Sequence, residues 1–346
     1  MKPTQKELTD WAITSIQKKY KDDVALLIAI PGHSSDNDCH GECFDYFVPA
    51  NENGNKLAQT FIIDGVGHDL YPRSWKRIEN MAEFNDEFTY GLGEAKILYS
   101  RSDEDKNHFF AMQEKQKANM QNKDFMYKKA LEKLDTAMEL YRTMMFEDLL
   151  YKVRMAAGYI AYYLSVAIAC IHGTYFRQRL DLETVELAQM KEIPENFIAY
   201  YEAIVKAKSV DELKKLSHMI IRTARKFIAG HKPPKAEAVK TPVYEDLADW
   251  YEESSLTLRR IYYYCDTQNY KRAFPDVIHL QHELNIIKEE FGLREMDLLG
   301  SFDSENLSAL KHSAKGLEQY VISEIENHGV TLNKYDTLEE FLAKNS

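Results

Sequence analysis

The sequence predicts an α+β protein, with a small mixed β-sheet domain followed by helical bundle domains. The first hundred residues alternate short apolar runs with turn residues and short helical patterns, the texture of a mixed sheet. After Ser102 the segments become long, charged and helical in period. Only 14 Gly and 9 Pro punctuate 346 residues, so the elements should be long and mostly helical.

The elements follow in order. Thr4 to Lys19 carries Leu8, Trp11, Ala12 and Ile16 at helical spacing. Val24 to Ile30 is a continuous apolar run between Asp22–Asp23 and Pro31–Gly32, which predicts a buried strand. Phe44 to Val48 predicts a second strand, stopped by Pro49 and Asn51. Phe61 to Ile63 and Gly67 to Tyr71 predict a third strand or a hairpin pair. Ser74 is placed to cap a helix opening at Trp75, and Ala95 to Tyr99 predicts a last short strand. Helices are then expected at Glu104 to Met120 and Phe125 to Phe146. Leu149 to Tyr175 is apolar nearly all round, as a central bundle helix would be. Three more helices follow, the last starting at Ser209, with Glu212 at capping-box spacing, and ending at Gly230. The Pro- and Lys-rich HKPPKAEAVKTP then reads as a linker. Beyond it Thr241 is a candidate cap with Pro242 at the first helical position. Helices are expected over 242–266, 273–291 and 304–328, with a short last one near Asp336 and Glu339. The expected domains are 1–103, 104–230 and a C-terminal helical module, 241–346.

Composition bounds the function. The net charge of −11 disfavours non-specific binding to DNA, which needs basic surface. Four cysteines are too few for a disulfide scaffold. The first residues are too polar for a signal peptide, and the apolar stretch Met155 to Ile171 is short for a bilayer span and holds three Tyr. A cytoplasmic protein with no membrane partner is therefore expected.

The chemistry should lie near two carboxylates. Gly32 ends the first strand, where backbone can approach a phosphate. Asp45 lies on the second strand, and simple alternation puts it on one face with Cys43 and Phe47, opposite Phe44, Tyr46 and Val48. Asp69, in Gly67-His68-Asp69-Leu70-Tyr71, could come beside it on a neighbouring strand. Two close carboxylates need a cation to stay ionised cheaply, which suits Mg²⁺ and a triphosphate.

This order of parts resembles the nucleotidyltransferase superfamily that includes the aminoglycoside nucleotidyltransferases. In that superfamily Gly-Ser or Gly-Gly ends the first strand. A loop follows, then Asp-hydrophobic-Asp/Glu on the second strand, and a third Asp on a later one. Here Gly32-His33 takes the first place, the strand around Asp45 the second and Asp69 the third. The segments LGEAKILYSRSDED and FEDLLYKVRMAAGYIAYYLSVAIACIHGTYF look like the strand and helical bundle that follow the catalytic domain in that group. The resemblance covers about residues 5–230. The chain departs from the pattern at His33 and in the carboxylate pair. If Asp45 is the first of the pair, Phe47 holds the second place. If it is the second, Cys43 holds the first, and a β-bulge would turn the adjacent Glu42 inward.

The resemblance implies Mg²⁺-dependent transfer of a nucleoside monophosphate from an NTP, with ATP the favoured donor, to a hydroxyl, releasing pyrophosphate. Gly32, His33 and Ser34 would contact phosphates. Asp45, with Glu42 or Cys43, would hold the metal, and Asp69 would hold a second metal or take the acceptor's proton. Lys152 and Arg154 either reach the triphosphate or solvate a helix end. The expected acceptor is a small molecule. One alternative is an inert relative that binds a nucleotide or a protein, and another is a nucleotidyl-transferring toxin acting on tRNA or protein. The C-terminal helices are expected to meet a second copy or another protein. Cys39, His40 and Cys43, with His33, make a weak zinc pattern, and HLQHE at 279–283 lacks the spacing of a zinc-protease helix.

Overall fold

The protein is described from a computed structural model, which covers residues 5–30, 44–177, 183–234 and 242–345. It is an α+β protein whose five-stranded mixed sheet is followed by helices. Two compact units are present, Met1–Lys235 and Ala236–Ser346.

Helix α1, Gln5–Lys19, precedes strand β1, Val24–Ala29, in which every residue is buried. Strands β2 (Phe44–Pro49), β3 (Gln59–Ile63), β4 (Val66–Pro72) and β5 (Lys96–Ser100) complete a sheet of order β3-β4-β2-β1-β5. β1 runs antiparallel to β2 and β5, and β4 runs parallel to β2. β1 therefore has a strand on either side, and its side chains are buried in clusters on both faces of the sheet, which explains its unbroken apolar run. β3 and β4 form an antiparallel hairpin through Asp64 and Gly65. Both turn residues have positive φ, 49° and 79°, as a two-residue Asp-Gly turn of type I′ requires.

One sheet face packs on α1, where Ala12 and Ile16 meet Leu27, Phe47 and Leu70. The other packs on α2 (Trp75–Ala82), α3 (Tyr90–Gly93) and α4 (Asp103–Gln121). There Ile78, Met81, Leu92 and Phe109 cover Leu26, Ile28, Tyr46 and Val48. Ser74 caps α2 by accepting from the Arg77 amide.

Next come α5 (Lys123–Met144), α6 (Leu150–Ile171), α7 (Glu183–Ala188), α8 (Phe197–Lys206) and α9 (Val210–Gly230), which share one apolar core. Ser209 caps α9 by accepting from the Glu212 amide. α6 is the helix among the described residues long and apolar enough to cross a membrane, yet 50% of that stretch is buried in the fold. It is not apolar-buried all round as expected, because Tyr151, Met155 and Tyr159 form an exposed row at every fourth residue.

The second unit holds α10 (Tyr244–Asp266), α11 (Tyr270–Phe291), α12 (Ser308–Asn327) and α13 (Leu338–Asn345). α10 begins two residues later than expected, after Val243, which makes no side-chain cap. Thr241 lies outside the described residues. α11 begins three residues earlier than the expected Ala273, because Asn269 accepts from the Arg272 amide and caps it there. In the core, Glu318 of α12 accepts from the hydroxyls of Tyr251 and Tyr262 on α10, at 2.9 and 2.6 Å, and pairs with Arg259.

Candidate functional site

Strand β2 does not alternate simply. Ala29 pairs with Phe44 and Ile28 with Tyr46, so Asp45 is an extra residue in the ladder, a β-bulge. Phe44 and Phe47 both pack on the α1 side, whereas Tyr46 and Val48 pack on the α2 side. The bulge therefore turns Asp45 away from Phe47 and onto the face of Tyr46. This corrects the expected grouping of Asp45 with Phe47.

The neighbouring strand confirms the face. Tyr46 stands level with Tyr71 across the parallel pairing. The Tyr71 hydroxyl donates to Asp45 Oδ1 at 3.1 Å. Leu70 packs on the α1 side and Tyr71 on the α2 side, so alternation puts Asp69 on the Tyr71 face. Asp69 is exposed and pairs with Thr60 of β3. The two sequence-predicted carboxylates thus share one face of adjacent strands.

Arg73 is the residue that sequence reasoning missed. Its amide donates to the Phe47 carbonyl at 2.8 Å, fixing it just beyond β4. Its side chain is only 2% exposed. The guanidinium donates to the Tyr71 hydroxyl and lies over the rings of Tyr46, Tyr71 and Phe88, 4.6 to 5.1 Å from their centres. Nη1 also reaches the Met81 sulfur at 3.8 Å, while Nε has no hydrogen-bond partner among the described residues. α3 carries no side chain at Gly91, where it passes the guanidinium. A Cβ on Gly91 would stand 3.0 Å from Arg73 Nη1, and one on Gly93 would collide with the Tyr175 hydroxyl. The Gly91 carbonyl also accepts from the Tyr46 hydroxyl at 2.8 Å.

The phenols of this cluster are held neutral. Burial pushes Tyr46 well above the ordinary tyrosine range. Burial, then the nearby charge of Asp45, raise Tyr71, and the same causes push Tyr90 up to about 12. Beside them, Arg77 pairs with Asp86 at 2.9 Å, and Asp86 also accepts from the Phe88 amide. That pair holds the turn carrying Phe88 over Arg73.

The donor chemistry suits a hard cation. Mg²⁺ is commonly held by one or two carboxylates, with waters and substrate phosphates filling its shell. Asp45 and Asp69 are the carboxylates on this face that could take that part, although among the described residues no three His, Cys, Asp or Glu form a metal group. Gly32, His33, Ser34 and Glu42 lie outside the described residues, as do Cys39, His40 and Cys43 of the zinc pattern. Arg154 is not brought to the Asp45 cluster. Its guanidinium donates to the Ala207 carbonyl at 2.8 Å, and Lys152 pairs with Glu147. Both anchor the start of α6, whereas Tyr163, nine residues on, is the one that reaches Glu87 beside the site.

No protein-family model matches the chain, and no curated protein matches it. Among solved structures it is similar to the crystal structure of a nucleotidyltransferase-like protein from Exiguobacterium sibiricum. The two share 10% identity and a TM-score of 0.37, over 64% of this chain and 74% of that one. A likeness so distant carries no argument of its own.

Proposed function

We propose that the chain is a divergent nucleotidyltransferase. It moves a nucleoside monophosphate from an NTP, ATP being the favoured donor, to a hydroxyl on a small molecule. The observation that carries this reading is the β2 bulge, which puts Asp45 on the same face as Asp69 of the adjacent parallel strand. Asp45 and Asp69 would hold Mg²⁺, which would supply charge neutralisation on the triphosphate. Asp69, exposed at the rim, would take the proton of the acceptor hydroxyl as its oxygen attacks the α-phosphorus. The bond to the β-phosphate breaks and pyrophosphate leaves. Gly32, His33 and Ser34 keep the phosphate-binding role implied by the resemblance, and Glu42 that of a further carboxylate. Arg154 has no part in this reading, since it is engaged at Ala207.

A second reading is a relative that binds nucleotide without turning it over. It is favoured by Phe47, which takes the place of the second carboxylate if Asp45 is the first of the pair, and which packs on the opposite face.

The test is the melting temperature of the purified chain with Mg²⁺ and each NTP, with pyrophosphate release followed in parallel. A Mg²⁺-dependent rise with ATP, lost in Asp45→Asn and Asp69→Asn, supports nucleotide binding at this site. Pyrophosphate release dependent on both carboxylates supports the enzyme over the binder. No Mg²⁺-dependent response to any NTP sinks both.

A further inference from the structure

Arg73 combines burial with an incomplete set of partners. Its charge is enclosed by rings, its Nε has no partner among the described residues, and its side chain is 2% exposed. Burying a cation without full hydrogen bonding costs free energy that an apolar side chain of similar volume would avoid. Among the described residues the guanidinium's one hydrogen bond to oxygen goes to the Tyr71 hydroxyl. That bond occupies the phenol oxygen as acceptor, so the phenol hydrogen is directed at Asp45 Oδ1, 3.1 Å away. A hydroxyl that accepts from a cation is itself a stronger donor. The line Arg73, Tyr71, Asp45 therefore runs one way, from a rigid buried cation to the carboxylate on the bulge.

We infer that Arg73 is a positioning residue. Acting through Tyr71, it fixes the direction of the Asp45 carboxylate and so sets the affinity of the site for a divalent cation. The inference rests on the proposed function, because it assigns Asp45 to metal. Arg73 touches neither metal nor nucleotide in this scheme. Its supports are the three rings, the Met81 sulfur and the bare backbone of Gly91, all of which hold the guanidinium still. Groups behind a metal ligand commonly change metal affinity 10–100-fold.

The test uses the full chain with Mn²⁺ as the probe cation and ATP present. Free Mn²⁺ is measured by electron paramagnetic resonance against a blank of Mn²⁺ and ATP without protein, since ATP itself binds the cation, and melting temperature is measured alongside. Tyr71→Phe removes the relay with almost no change of shape, and Arg73→Met removes its source. Each is expected to weaken Mn²⁺ binding about tenfold; Arg73→Met should melt near the wild type, whereas Tyr71→Phe should melt lower because it leaves the buried guanidinium without its oxygen acceptor. Arg73→Lys should restore part of the affinity. If Tyr71→Phe binds Mn²⁺ like the wild type while Asp45→Asn does not bind it, the positioning role is overturned and the functional reading stands. The role is likewise overturned if the variants lose melting temperature with no change in Mn²⁺ affinity. If the wild type binds no Mn²⁺ in the presence of ATP, the functional reading falls and takes this one with it.

Discussion

Tyr71 reaches across two parallel strands and donates to Asp45 Oδ1 at 3.1 Å, although the two residues are 26 apart in sequence. The contact exists because Asp45 is out of phase with its own strand. It joins the exposed carboxylate face to a buried aromatic cluster, and the consequences for stability are open to measurement.

The guanidinium of Arg73 should contribute little net stability. Its cation–π contacts are offset by the desolvation of a charge whose Nε has no partner among the described residues. Arg73→Met is expected to unfold in urea within about 1 kcal/mol of the wild type. A loss above about 3 kcal/mol would show that the buried cation is a net stabiliser and that the desolvation argument is wrong.

Gly93 should tolerate no side chain. A Cβ there would meet the Tyr175 hydroxyl and stand 2.7 Å from Gln116 Oε1, and the Tyr175 ring is itself held against Phe84. Gly93→Ala is expected to cost about 1–3 kcal/mol by overpacking. Gly158, whose Cβ would meet nothing within 4 Å, is the control. As a helix-interior position on α6, Gly158→Ala should be stabilising by about 0.5–1 kcal/mol. Equal effects at the two sites would contradict this packing.

Alkaline pH should unfold the first unit through its buried phenols. Burial raises Tyr46, and burial with Asp45 raises Tyr90 to about 12. A folded-state value above the unfolded one means that the stabilisation is whole below about pH 10. It is lost as pH rises further, because the unfolded chain releases protons that the folded chain keeps. Tyr46→Phe removes the bond to the Gly91 carbonyl and should cost about 1 kcal/mol near neutrality. Its melting-temperature deficit should shrink between about pH 8 and pH 11. A deficit that stays constant or widens would refute the assignment.

In the second unit Glu318 is the polar centre. Its side chain is 11% exposed and receives two phenols and a guanidinium. Glu318→Ala leaves the phenols unpaired and should destabilise by about 2–4 kcal/mol. Glu318→Gln, which keeps an acceptor oxygen, should cost clearly less. The calorimetric transition of residues 236–346 is the measurement, and equal losses in the two variants would deny the role of the phenols.

Much of the fold was legible because it follows local rules. The apolar run at 24–29, the caps Ser74 and Ser209, and the helices from Ser102 onward are written in period and capping chemistry. The hairpin was only half legible, yet Asp64-Gly65 is a strong two-residue turn signal. The start of α10 was misplaced because a Thr-Pro pair suggests a cap, whereas the helix opens after Val243 without one. α6 looked evenly apolar because Tyr and Met score as core residues wherever they stand. Arg73 was illegible for a different reason. Arginine after a strand-ending proline suggests a loop, and its burial depends on rings contributed by three separate segments. Gly91 and Gly93, bare at alternate positions in Tyr-Gly-Leu-Gly, were the available clue to a close approach.

The bulge also changes how this strand has to be searched for. A motif written as two carboxylates with one residue between them assumes an unbroken two-residue repeat. Here the repeat resets at position 45, so consecutive residues 45 and 46 share a face and the residue at 47 is out of phase. Any pattern or profile that scores fixed spacing across this point compares positions on opposite sides of the sheet. Relatives that keep the bulge are better sought through the triplet of Asp45, Tyr71 and Arg73, whose spacing is set by strand pairing.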